Sequence, residues 1–343
     1  MKKFFMALCV CLAVLTMVST AFSEELWDWH LRGADEGLAA GALPPPGLYF
    51  INDFYWTGNW NLYNASGNAT AGAKLMGFVD VPILLWNPGL CPILGATYSA
   101  AIAQPFDSTA FKVNALAGST SALGTTQSGN GNQWGAYNTV LVPFILSWEI
   151  PCDLHVSASL AVGLNDGTTS TGNSYADLEA THFAADKLTS KDQTNIYAWS
   201  SNNNYTFTPT IGISWLYGGW NASVELMYTF WTKDTDIDYQ NGDQLAIDYT
   251  LTYTCGKWTF GLGAETENQI YNDKGVSGAG IYQTLYGTEN RNVTAGPIIG
   301  YNFGPCSLLF TYNFAISTTS DVGGDWAMMR LVVPLGNPYD WYK

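Results

Sequence analysis

From Gln244 to Cys255 the chain alternates without a break between two kinds of residue. Leu245, Ile247, Tyr249, Leu251, Tyr253 and Cys255 fall on one face; Gln244, Ala246, Asp248, Thr250, Thr252 and Thr254 fall on the other. Period two marks a strand with one apolar face. Strands of soluble proteins usually stop after about five or six residues. Alternation of this length recurs from Tyr205 to Leu335 and is punctuated by turns. That pattern belongs to an all-β fold, a transmembrane antiparallel up-and-down β-barrel.

The N-terminus agrees with export. Met1-Lys2-Lys3 precedes an apolar run from Phe4 to Val18, and small residues end in Ala21-Phe22-Ser23. A basic n-region, an h-region and an A-x-A-like site make residues 1–23 a signal peptide. The run is short for a membrane helix of roughly 20 residues. No lipobox precedes Cys9 or Cys11. No other stretch is apolar enough for a helical span, and a chain that spans without helices must close its sheet, because lipid offers backbone groups no partners. The formal charge is −15, and Lys2 and Lys3 leave with the leader. Such a chain does not seek nucleic acid. Its 15% aromatic and 12% charged content excludes disorder.

About twelve strands are legible, at roughly 47–58, 70–86, 90–105, 134–149, 152–165, 204–217, 219–232, 243–255, 257–271, 291–303, 305–317 and 324–335. Tight turns are expected at Asn87-Pro88-Gly89, Ile150-Pro151, Gly218-Gly219, Gly256 and Gly304-Pro305, with long connections at 59–69, 106–133, 166–203, 233–242 and 272–290. Short turns therefore follow even strands and longer loops follow odd ones. A barrel with periplasmic termini in the outer membrane of a Gram-negative bacterium predicts that parity. Residues 47–343 are the expected barrel. Residues 24–46 precede it; Leu31 to Leu43 has helix-compatible composition, stopped by Pro44-Pro45-Pro46. This short N-terminal helical segment is either a periplasmic stub or a plug reaching into the barrel. A second short helix is compatible with Tyr175 to Thr189.

The alternation also nominates lumen residues. Glu225, Asp248, Glu265 and Glu267 lie opposite the lipid-facing parity, as does Arg330 in the last strand. They form either a charged constriction or a structural salt-bridge network, and with the last strand beside the first, Arg330 would reach the others across the lumen. Val79 to Trp86 and Thr139 to Trp148 are apolar almost throughout. One face must meet lipid, which leaves Phe78, Leu84, Trp86, Phe144 and Trp148 for the lumen, a partly greasy interior that would hold an apolar solute. Pro82, Pro143, Pro209, Pro297 and Pro334 fall inside strands and predict bulges or kinks.

Several stretches resemble a known family. They are EGLAAGALPPPGLYF (36–50), TPTIGISWLYGGW (208–220), DYQNGDQLAIDY (238–249), GPIIGYNFG (296–304) and GDWAMMRLVVPL (324–335). Their order and spacing resemble the outer-membrane family named for the meta-pathway of phenol degradation. The resemblance implies a barrel distantly similar to fatty-acid transporters that passes aromatic or other small hydrophobic compounds inward. Its expected partners are outer-membrane lipid and lipopolysaccharide, the barrel assembly machinery and the solute itself. The alternatives are a general diffusion porin and a structural or adhesin barrel acting through its loops.

Chemistry is otherwise sparse, and neither enzyme activity nor a cofactor is expected. His30, His155 and His182 do not converge with a nucleophile at any legible spacing, and G-x-S-x-G and H-E-x-x-H are missing. Asp234, Asp236 and Asp238 have the D-x-D-x-D spacing of a calcium loop, but Tyr239 and Leu245 stand where Gly and Glu are required. Cys91, Cys152, Cys255 and Cys306 each fall at a short turn. They are either free thiols or the disulfides 91–152 and 255–306. No C-x-x-C spacing suggests zinc.

Overall fold

A computed structural model describes residues 30–58, 60–90, 94–113, 129–168, 201, 204–233, 239–271, 274–275 and 290–336. Among them twelve strands form one closed antiparallel barrel. They are β1 (Gly47–Thr57), β2 (Ala69–Asn87), β3 (Thr97–Ala103 continued by Phe106–Val113) and β4 (Gly129–Ala136 continued by Val140–Ile150). Next come β5 (Leu154–Gly163), β6 (Thr206–Tyr217), β7 (Trp220–Trp231) and β8 (Gln244–Cys255). The last four are β9 (Trp258–Gln269), β10 (Arg291–Asn302), β11 (Ser307–Thr319) and β12 (Trp326–Gly336). Each strand pairs with its chain neighbours, and β1 closes the ring by pairing with both β2 and β12. Closure removes the edges that would otherwise carry unpaired backbone groups.

One rim carries the tight hairpins. Gly218 and Gly219 both have positive φ, +58° and +90°, and close the two-residue turn between Tyr217 and Trp220. Two successive residues of this kind match the twist of the flanking strands, and a side chain at either would strain the turn. The other rim carries the long connections and two short pairings, Trp60–Tyr63 with Val322–Gly323 and Tyr239–Gln240 with Lys274–Gly275.

The faces are sorted by period two. On β6, Thr206, Thr208, Thr210 and Ser214 are buried while Phe207, Ile211 and Ile213 are exposed. The same holds on β8 and β9, where Leu251, Phe260 and Leu262 stand outside and Asp248, Thr250, Thr252, Glu265 and Glu267 inside. An apolar exterior around an interior rich in polar and charged side chains, with apolar patches such as Met227, Trp231 and Ala246, is the reverse of a soluble protein, and suits a barrel standing in lipid. Among the described residues no helix is long and apolar enough to cross a membrane.

Four expectations need correction. The tight turn at 87–89 is a longer connection, since β3 begins at Thr97. Residues 106–113 and 129–133, expected in a loop, extend β3 and β4: the 19-residue β2 offers 106–113 an edge, and 129–136 pair with that extension in turn. Residues 31–43 are not a helix: they form successive turns, closed by Ala34 N–H to Leu31 O, Glu36 N–H to Gly33 O and Leu38 N–H to Asp35 O. Gly33 and Gly37, both at positive φ, break any continuous helical run. Finally, Phe78, Leu84, Trp86, Phe144 and Trp148 take the outer face, as set out below.

Three of the five strand prolines mark irregularities; Pro209 and Pro297, expected to do the same, lie where the register is unbroken. Pro143 lies within register shifts on both of its edges. Pro334 lies at the shift between Leu48 and Tyr49. Pro82 lies opposite the interruption of β3, where Gln104 N–H donates to the Pro82 carbonyl at 3.1 Å. Residues 1–23, 175–189, 234–238 and 338–343, with Cys91 and His182, lie outside the described residues.

Candidate functional site: the occupied lumen

Residues 30–46 run through the barrel from one rim to the other. At the tight-turn rim Asn87 Nδ2 donates to Pro44 O at 2.8 Å. Deeper in, Gly41 N–H donates to Ser214 Oγ, and Ser147 Oγ donates to Gly41 O, both at 2.7 Å. Ser157 Oγ donates to Ala40 O at 2.7 Å, and Asn221 Nδ2 to Leu38 O at 3.0 Å. Gly37 N–H reaches Thr250 Oγ1 at 2.8 Å, and Asp35 N–H reaches Asp248 Oδ2 at 2.9 Å. Asn313 Nδ2 donates to Glu36 Oε1 at 2.6 Å. The segment thus satisfies its backbone on wall side chains, which a buried irregular segment must do.

Two wall glycines make the room. Gly212 and Gly263 sit on the inward parity of β6 and β9. A Cβ at Gly212 would collide with the carbonyl of Ala40, and one at Gly263 with the carboxylate of Glu36. Gly41 is pressed equally close to the backbone of β5 at His155.

Two guanidiniums tie the segment and the wall together. Arg32, 4% exposed, gives Nε to Glu267 Oε2 at 2.7 Å, Nη2 to Asp321 Oδ2 at 2.8 Å and Nη1 to Val322 O at 2.8 Å. Its guanidinium also lies 4.9 Å from the ring centroid of Trp60. This anchors the segment at the long-loop rim. Arg330 gives Nε and Nη2 to the two oxygens of Asp53, both at 2.7 Å, and Nη2 also meets Ala34 O. Paired, bidentate geometry of this kind is what permits charge to be buried.

The carboxylates nominated from sequence come together. Glu225 on β7 is the ladder partner of Asp248 on β8, and Asp248 is the ladder partner of Glu265 on β9. Glu267 lies one inward position further along β9 and bonds Arg32. Gln244 Nε2 donates to its other oxygen. Arg330 does not cross the lumen to reach an acid: its partner is Asp53 on the neighbouring strand, in direct register.

The aromatic candidates separate from this group. Trp86 and Phe144 are exposed on the outer face. Phe78 packs among Phe54, Trp56 and Trp134 at ring separations of 5.7–6.5 Å. Trp148 shares the parity of Phe144, while its neighbour Ser147 bonds the lumenal segment. Val79, Val81 and Ser147 take the inner positions instead. Both faces of these strands are apolar, and the register of β4 shifts at Pro143, so the pattern carried no sign of which face is inner.

Sequence reasoning missed Asp53, Arg32, Asp35, Glu36 and Asp321. One signal was available for Asp53: closure places β1 beside β12, and an inward arginine on one demands an acid on the other.

Residues 61–331 match the sequence family described as "Putative MetA-pathway of phenol degradation". The chain belongs to that family. No curated protein matches it in sequence. Among solved structures, the COG4313 outer membrane channel from Pseudomonas putida F1 is similar at a TM-score of 0.62 and 11% identity, over 89% of this chain and 99% of that one. The translocator domain of the autotransporter NalP from Neisseria meningitidis aligns at a TM-score of 0.47 and 12% identity, over 86% of this chain and 91% of that one. At such identities the first likeness speaks for the fold alone, a barrel this member of the phenol-degradation family shares.

Proposed function

We propose that the protein is a passive outer-membrane channel for small hydrophobic, including aromatic, compounds, with residues 30–46 as the element that narrows it. The observation that carries the channel reading is a complete barrel wall whose polar lumen is filled by a segment outside the ladder. The wall's closure does not depend on that segment, which is held by side-chain bonds worth about 0.5–1.5 kcal/mol each and by Arg32. Such a segment can shift without unfolding the barrel. The similar P. putida structure is titled an outer membrane channel, and the apolar exterior suits that membrane. Tight turns would then face the periplasm, with both ends of the barrel sequence on that side.

The family description supports the solute class. So do the shifted ladder at Pro143 and the interruption of β3 opposite Pro82, in a wall that carries an outward cluster of Phe54, Trp56, Phe78 and Trp134. These offer an apolar approach from the outer face. A general diffusion porin is the competing reading, favoured by the buried acids and hydroxyls of the lumen.

Planar-bilayer conductance of the purified barrel separates the two. The full-length protein should conduct little, and toluene, phenol or a fatty acid should change the current at low concentration. Gly212→Leu, which drives a side chain into Ala40, should raise the conductance. A large steady current indifferent to those solutes supports the porin, and a Gly212→Leu current equal to wild type counts against the narrowing role.

A further inference from the structure

The two lumen guanidiniums are each held by acids. Arg330 binds Asp53 through both oxygens, and Arg32 binds Glu267 and Asp321. Each set is neutral or negative as a unit. Beyond them stands the row Glu225–Asp248–Glu265, three carboxylates in register on three adjacent strands. Like charges directly opposite one another destabilise a sheet. The inward positions beside the row are mostly uncharged, Ser223 and Met227 on β7, Ala246 and Thr250 on β8 and Gly263 on β9, and Glu267 is paired with Arg32. Uncharged side chains in the row would line the wall without that cost, so the row does not serve the wall's stability.

The row also has unfilled capacity. Asp248 is 2% exposed, and its Oδ1 has no hydrogen-bond partner. Glu36 comes from the lumenal segment and lies against Gly263, two residues from Glu265; its Oε2, equally enclosed, has no partner either. These acceptors point into the lumen and call for a proton or a cation. If the segment shifts, Arg32 leaves Glu267 and Asp321 without their cation, while Asp35 and Glu36 leave with it, so the acids that remain in the lumen are those of the wall.

We propose that the Glu225–Asp248–Glu265 row is the charge filter of the open channel, admitting cations and neutral solutes and rejecting anions. This rests on the channel reading above and narrows its solute class: neutral aromatics and organic cations pass, while carboxylates such as benzoate or ionised fatty acids do not. Rings of acidic side chains exclude anions because the low-dielectric wall concentrates their field in the lumen.

Reversal potentials of the full-length barrel and of Gly212→Leu, under a KCl gradient, test it. Potassium should permeate several-fold better than chloride in both. Glu225→Gln with Asp248→Asn and Glu265→Gln should bring the ratio close to unity. Asp248→Asn alone, the middle of the row, should lower it part-way and serves if the triple variant does not fold. Chloride preference in wild type, or a ratio unmoved in the neutralised variants, overturns the filter. Absence of any current, in Gly212→Leu as well, overturns the channel reading and the filter with it.

Discussion

At the scale of single residues, Arg330 and Asp53 show how charge is kept inside this barrel. Both are 3% exposed, and two parallel bonds join them across the closing seam. Removing one partner leaves the other buried without compensation. Arg330→Ala is expected to destabilise the barrel by about 3–5 kcal/mol, read from urea unfolding in lipid vesicles. Replacing both, as Arg330→Met with Asp53→Asn, should cost much less than the single change. A single variant as stable as wild type would show that the pair is solvated after all. The acidic positions were legible in sequence as breaks in polarity on the inward parity of regular strands. Their partners were not, because a pairing across the seam depends on ring closure and on stagger, which no local pattern reports.

At the scale of elements, β2 and β4 are where pattern and structure part. Period two fixes which residues share a face, and it fixes inside from outside only where the two faces differ in polarity. β6, β8 and β9 meet that condition and were read correctly. The apolar stretches of β2 and β4 do not, and Pro143 lies where the ladder of β4 shifts on both edges. The placement of Phe144 on the lipid side has a direct consequence. Phe144→Arg should lower folding stability in vesicles by about 2–4 kcal/mol, the cost of a basic side chain near the middle of a lipid-facing strand. A lumen-facing Phe144 would tolerate the same change with a far smaller loss, so refolding equal to wild type would return this residue to the lumen. The lumenal segment is the other surprise among the elements. Its composition permits a helix, yet Gly33, Gly37 and hydrogen bonds to side chains of the wall hold it as turns.

For the whole molecule, orientation follows from the sorting of its turns. Cys255 is exposed at the tight-turn rim, and Cys255 and Cys306 are free thiols, which removes the 255–306 bridge. A membrane-impermeant maleimide should therefore modify Cys255 in the purified barrel but not in intact cells, as read by peptide mass mapping. Labelling in intact cells would turn the molecule over. By itself the sequence determined the strand count, the hairpins and the polarity of most faces, because a lipid-spanning wall writes its period two and its turns locally along the chain. Only the tertiary structure decided that residues 30–46 lie within the lumen, that Gly212 and Gly263 make way for them, and which charges meet. Those outcomes depend on the width and stagger of a closed ring, and both arise only when twelve distant strands come together.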